Sequence, residues 1–115
     1  MTGRAMARMR RCAMVGIVGV AFVAASAPAF AAGKTYTITM GAMKFGPVPT
    51  TLHVGDTIVW VNEDLFRHTA TAADKSFNVD LEPNERAKTV LKKAGKVHFT
   101  CLFHPGMTGD LVVAK

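Results

Sequence analysis

From Thr35 to Ala114 the chain runs in short β-branched or apolar segments, each closed by a turn signal. Strands recurring every eight to twelve residues or so leave room for little except a small sandwich or barrel. Thr35 to Met40 alternates with period two. Gly46-Pro47 and Pro49 interrupt the chain, and Thr51 to Val54 is a short strand turned by Gly55-Asp56. Thr57 to Val61 is the strongest strand and stops at Asn62-Glu63-Asp64. His68 to Ala72 and Phe77 to Leu81 are weaker, followed by a turn at Glu82-Pro83-Asn84-Glu85. Ala87 to Leu91, Val97 to Cys101 and Asp110 to Ala114 complete the series. The expectation is an all-β Greek-key sandwich or barrel of about seven to eight strands, with Ile58, Trp60, Phe45, Phe77, Val97, Phe99 and Leu111 in its core. A domain of this length buries roughly 60–65% of its unfolded surface.

The first 31 residues read differently. Arg4, Arg8, Arg10 and Arg11 open the chain, an uncharged run follows from Cys12, and Ala29-Phe30-Ala31 closes it. A basic start, an apolar middle and an A-x-A ending make a secretory signal peptide, with cleavage expected after Ala31. Arg10-Arg11 leaves Sec and twin-arginine export both open. The domain is then 32–115, exported to the periplasm, with no stable membrane insertion after cleavage.

Removing that segment changes the meaning of the charge. The whole chain holds 14 Lys plus Arg against 8 Asp plus Glu. From Ala32 onward ten basic residues face eight acidic ones, because four arginines lie in the leader. A balance so near neutral is not that of a nucleic-acid binder, which carries its excess on the folded surface. Export also changes the meaning of the cysteines. Cys101 alone remains after cleavage, and a lone thiol in an oxidising compartment is either a liability or occupied.

Its neighbours point to the second. The segment Cys101-Leu102-Phe103-His104-Pro105-Gly106-Met107 places a thiolate, an imidazole and a thioether three residues apart. Alternation along Val97 to Cys101 turns Cys101 to the core side, at the point where strand becomes loop, and turns His98 away. His68 lies 33 residues upstream, after a polar turn. One Cys and two His with a weak axial Met is the donor set of an electron-transfer copper site: sulfur favours Cu(I), and imidazole also suits Cu(II). The expected metal ligands are His68, Cys101, His104 and Met107. Met43 is read as core, His53 as exposed, and Lys92, Lys93 and Lys96 as a solvated edge.

These residues resemble those of a cupredoxin, and the chain is similar to the amicyanin-like group. The resemblance rests on Met43-Lys44-Phe45, on Val54 to Asn62, on His68-Thr69 and on the loop from Cys101 to Met107, and spans Thr35 to Val113. It implies one type 1 copper and a monomeric electron shuttle that catalyses no reaction on a small molecule. It also implies redox partners, a dehydrogenase such as methylamine dehydrogenase and a c-type cytochrome, which would meet an apolar patch around His104. Three residues depart from the group's pattern: Phe103 and Arg67 stand where Pro is usual, and Thr69 where many cupredoxins carry Asn. The alternative reading of the same ligands is a copper-trafficking protein. A copper oxidase or nitrite reductase would need a second metal site or further domains.

Overall fold

The computed structural model describes residues 16–25 and 33–115. The expected cleavage position after Ala31 and the basic start of the chain lie outside the described residues. Residues 16–25 are exposed and have no regular secondary structure. Among the described residues, no helix is long and apolar enough to cross a membrane.

Among the described residues, nine strands form two sheets: β1 (Thr35–Gly41), β2 (Lys44–Phe45), β3 (Leu52–His53), β4 (Thr57–Asn62), β5 (His68–Ala72), β6 (Asn78–Leu81), β7 (Arg86–Val90), β8 (Gly95–Thr100) and β9 (Thr108–Ala114). One sheet runs β2-β1-β4-β7 and the other β3-β9-β8-β5-β6. Two pairings are parallel, β1 with β4 and β3 with β9, so the connections between those strands cross from sheet to sheet. The expected all-β sandwich is the observed one. Its strand count exceeds expectation by β2, a two-residue partner to the end of β1.

Alternation does the sorting. Along β4, Ile58, Trp60 and Asn62 are buried while the residues between them are half-exposed. Trp60 donates its indole N–H to Thr89 Oγ1 at 3.0 Å, so a fully buried indole leaves no donor unpaired. Phe99 packs against Phe45 and Trp60 in edge-to-face geometry, with centroids 4.7 and 5.2 Å away. Gly109 makes room for it: a Cβ there would run into the Phe99 ring. Phe45 and Phe77 are only partly buried and flank this cluster.

Met43 is not in the core, contrary to the expectation; it is 40% exposed. Met40 pairs with Phe45 and Gly41 with Lys44, so Ala42 and Met43 form a two-residue hairpin tip, both with positive φ. That turn rotates Met43 outward, and it is Met40 on β1 that is fully buried.

Candidate metal centre

At one end of the sandwich β8 finishes beside Cys101, β5 begins at His68, and the chain between β8 and β9 carries His104 and Met107. Strand β8 delivers the cysteine from within its sheet. Val97 and Phe99 are buried and their alternates are not, and Cys101, one residue past the strand, keeps the buried phase at 4% exposure. Leu102 to Gly106 then fold into a tight loop. The N–H of Cys101 donates to the Met107 carbonyl at 2.9 Å, and the Met107 N–H to the His104 carbonyl at 3.1 Å. Gly106, with φ of 88°, allows the reversal. This closure returns the Met107 side chain to the interior, where it is 2% exposed.

Three donors converge. His68 Nδ1 lies 3.7 Å and His104 Nδ1 3.6 Å from Cys101 Sγ, and the two nitrogens are 3.0 Å apart. Metal–nitrogen bonds of about 2.05 Å and metal–sulfur bonds of about 2.3 Å at near-tetrahedral angles separate such donors by roughly 3.4 and 3.6 Å. The three atoms therefore already stand about where one small cation would hold them. His68 is fully buried, and His104 is half-buried at the surface.

The sulfur is prepared for that role. Burial pushes the Cys101 thiol up, but hydrogen bonds outweigh it, first those from the backbone N–H groups of Thr69 and Phe103 and then that from the His104 imidazole, and bring the thiol down to about 6. The Thr69 N–H donates to Sγ at 3.3 Å. The Thr69 hydroxyl accepts the Leu102 N–H at 2.9 Å, so this buried residue ties the start of β5 to the ligand loop. A threonine thus makes this link where many cupredoxins carry Asn. A thiolate, two imidazoles and a buried thioether are a set that copper accepts in both valences.

The structure brings His68, Cys101 and His104 into one cluster, and Met107 is buried at the end of the same loop. His53 is exposed, as expected, and His98 is exposed and paired with Asp110. Sequence reasoning missed Asp64. In the sequence it only closes the turn after Val61, yet its Oδ2 lies 2.9 Å from His68 Nε2. The hydrogen bond from His68, then those from the Met43 and Leu65 N–H groups, hold its carboxyl near 2. The available signal was its spacing, four residues before the histidine.

A model of the cupredoxin-like domain matches residues 14–113. The chain belongs to the cupredoxin-like family. Among solved structures, this cupredoxin superposes on a purple cupredoxin from Nitrosopumilus maritimus with a TM-score of 0.62 and 25% identity, over 68% of this chain and 98% of the other. A Cu(I) form of a methionine-to-alanine variant of amicyanin gives 0.61 at 20% identity, over 69% and 81%. A copper-containing nitrite reductase from Thermus scotoductus SA-01 gives 0.64 at 30% identity over 81% of this chain. The cupredoxin spans only 25% of that enzyme's length.

Proposed function

We propose that this cupredoxin is an exported electron carrier holding one type 1 copper through His68, Cys101, His104 and Met107. The observation that carries the reading is the convergence of Cys101 Sγ and two imidazole Nδ1 atoms, within 3.0–3.7 Å of one another, on three rigidly tied segments. When bound, copper supplies a one-electron couple between Cu(II) and Cu(I). The protein's part is to keep its donors still. Thr69 holds the sulfur and braces the loop, and the 101–107 loop closes on itself through backbone hydrogen bonds. Donors that need little rearrangement suit both valences, which is what fast electron exchange requires.

His104 gives the route outward. Its ring sits beside Phe66, 6.1 Å between centroids, among exposed Leu65, Phe66, Leu102 and Phe103. An exposed apolar patch of this kind marks a contact site, and a brief redox encounter needs only a small one. Redox proteins, such as a dehydrogenase as donor and a c-type cytochrome as acceptor, would meet the protein here. Cleavage after Ala31 would release a monomer into the periplasm. The carrier role needs no bound substrate, so no reaction on a small molecule is assigned.

The test is the copper-loaded protein from Ala32 to Lys115. An intense thiolate-to-copper band in the visible spectrum, lost in Cys101→Ser, together with a reversible voltammetric wave, is the expected result. Copper handed to an acceptor protein with no reversible wave would replace the carrier with the trafficking reading. A Cys101→Ser variant as intensely coloured as the parent would end both.

A further inference from the structure

The two imidazoles of the site are held differently. His104 packs against Phe66 and turns Nδ1 toward the sulfur. His68 is gripped on both sides of its ring, Nδ1 toward Cys101 and His104, and Nε2 by Asp64. Asp64 is itself a built feature. Its side chain is 11% exposed. Oδ2 accepts the Met43 N–H at 3.0 Å and Oδ1 the Leu65 N–H at 2.8 Å, and its own N–H donates to Asn62 Oδ1 at 2.9 Å. Asn62 is buried at the end of β4 and donates its amide to the carbonyls of Phe66 and Leu81. The hairpin tip at Ala42-Met43, the end of β4 and the loop into β5 thus all converge on one carboxylate, which faces one imidazole.

We propose that Asp64 is a positioning residue of the copper centre, selecting the His68 tautomer and setting the reduction potential from behind the ring. An ionised carboxylate only accepts, so it keeps the proton on Nε2 and leaves the Nδ1 lone pair facing the other donors. An anion on the remote nitrogen also makes the ring a stronger donor, which favours the more highly charged valence. The oxidised state is therefore stabilised relative to the reduced one, and the potential lies lower than a neutral partner would leave it.

The proposal rests on the copper reading above, so its first test uses no copper. In the apo protein, nitrogen-15 NMR of the His68 ring should report the Nε2–H tautomer. Asp64→Asn loses the charge, and its single oxygen can accept from Leu65 or from Met43 but not from both; with that oxygen on the Leu65 N–H, the amide N–H faces Nε2. The expected result is a mixed or reversed tautomer and Zn(II) affinity weakened roughly 10–100-fold, the usual effect of losing such a partner. In the copper form the potential should rise, about 59 mV for each tenfold shift in preference between valences. Asp64→Glu, which keeps the charge, should fall between parent and Asn variant. A folded Asp64→Asn protein with parental tautomer, Zn(II) affinity and potential overturns the proposal. So does an Asp64→Glu variant as impaired as Asp64→Asn, which would make the residue a turn former only. A parent that binds Zn(II) with the Nε2–H tautomer but gives no blue copper form would overturn the copper reading and leave the Asp64 assignment standing.

Discussion

At the scale of single residues, Cys101 and Phe103 carry the sharpest consequences. With its thiol at about 6, the apo protein holds a thiolate at neutral pH although the residue is buried. The folded value lies below the usual 8.5 or so of a free cysteine. The thiol's own contribution to apo stability is therefore fully present above about pH 8.5 and fades as the pH falls through about 6. Alkylation of apo Cys101 by iodoacetamide should follow a titration centred near pH 6 in the native protein and near 8.5 in denaturant, and bound copper should suppress it. A native profile centred above pH 8 would mean that Thr69 and Phe103 do not charge the sulfur. Phe103 supplies a backbone N–H that proline at that place lacks, and this N–H acts on the Cys101 sulfur. By withdrawing charge from the thiolate it weakens support for Cu(II), so Phe103→Pro should lower the reduction potential by several tens of millivolts, on a scale of about 59 mV per tenfold. An unchanged or higher potential would shift the explanation to the exposed ring. That ring also lies 4.8 Å from the Arg67 guanidinium, which is itself clamped to Asp80 through two hydrogen bonds.

At the scale of elements, the sandwich was legible wherever the pattern was strong. Thr57 to Val61 alternates cleanly and is β4 with one residue added. His68 to Ala72 was weak because almost all of β5 is buried, so alternation had nothing to show. β2 was not visible at all. A two-residue hairpin turn normally announces itself with Asn-Gly or Asp-Gly, and here Ala42-Met43 adopts it without either. The same blindness hid Asp64, because its role depends on that hairpin tip arriving beside the loop into β5, and a turn without its usual residues gives no hint of where it points. The donor spacing around Cys101 was legible for the opposite reason, since three of its members lie within one short loop. Packing between elements yields its own prediction. Gly109 on β9 faces Phe99 on β8, and the ring fills the space where a Cβ would be. Phe99 cannot retreat, because Phe45, Trp60 and Phe77 surround it. Gly109→Ala should destabilise the fold by about 1–3 kcal/mol, the usual range for overpacking a core. Chemical denaturation checks it, and parental stability would show that the sheet can open locally at that point.

At the scale of the whole molecule, the strand directions sort the charges. Strands β4 and β6 end, and β5 and β7 begin, around the metal centre, which places Glu63, Asp64, Asp80, Glu82 and Glu85 at that end. Lys44, Arg67 and Arg86 are the basic residues among them, and Arg67 is bound to Asp80 and Glu82. At the other end, where β8 begins and β4 starts, lie Lys34, Lys75, Lys92, Lys93, Lys96 and Lys115 against Asp56 and Asp74. The six residues of β8 set the two groups roughly 20 Å apart. This separation exceeds the screening length of about 8 Å at physiological salt, so a reagent meeting His104 feels the acidic end more than the net charge. From Ala32 onward that net charge is positive, with ten basic and eight acidic residues, and taken alone it would attract anions. Stopped-flow oxidation of the Cu(I) protein by small complexes of either sign separates the two effects. The cationic tris(phenanthroline)cobalt(III) should react more slowly as salt is added, and anionic ferricyanide faster. Glu82→Lys with Glu85→Lys should reverse both slopes. Lys92→Glu with Lys93→Glu, equal in charge change but at the far end, should leave their signs as they were. If instead the far-end pair controls the slopes, net charge governs the encounter, and the acidic surround of the apolar patch has no part in choosing what approaches it.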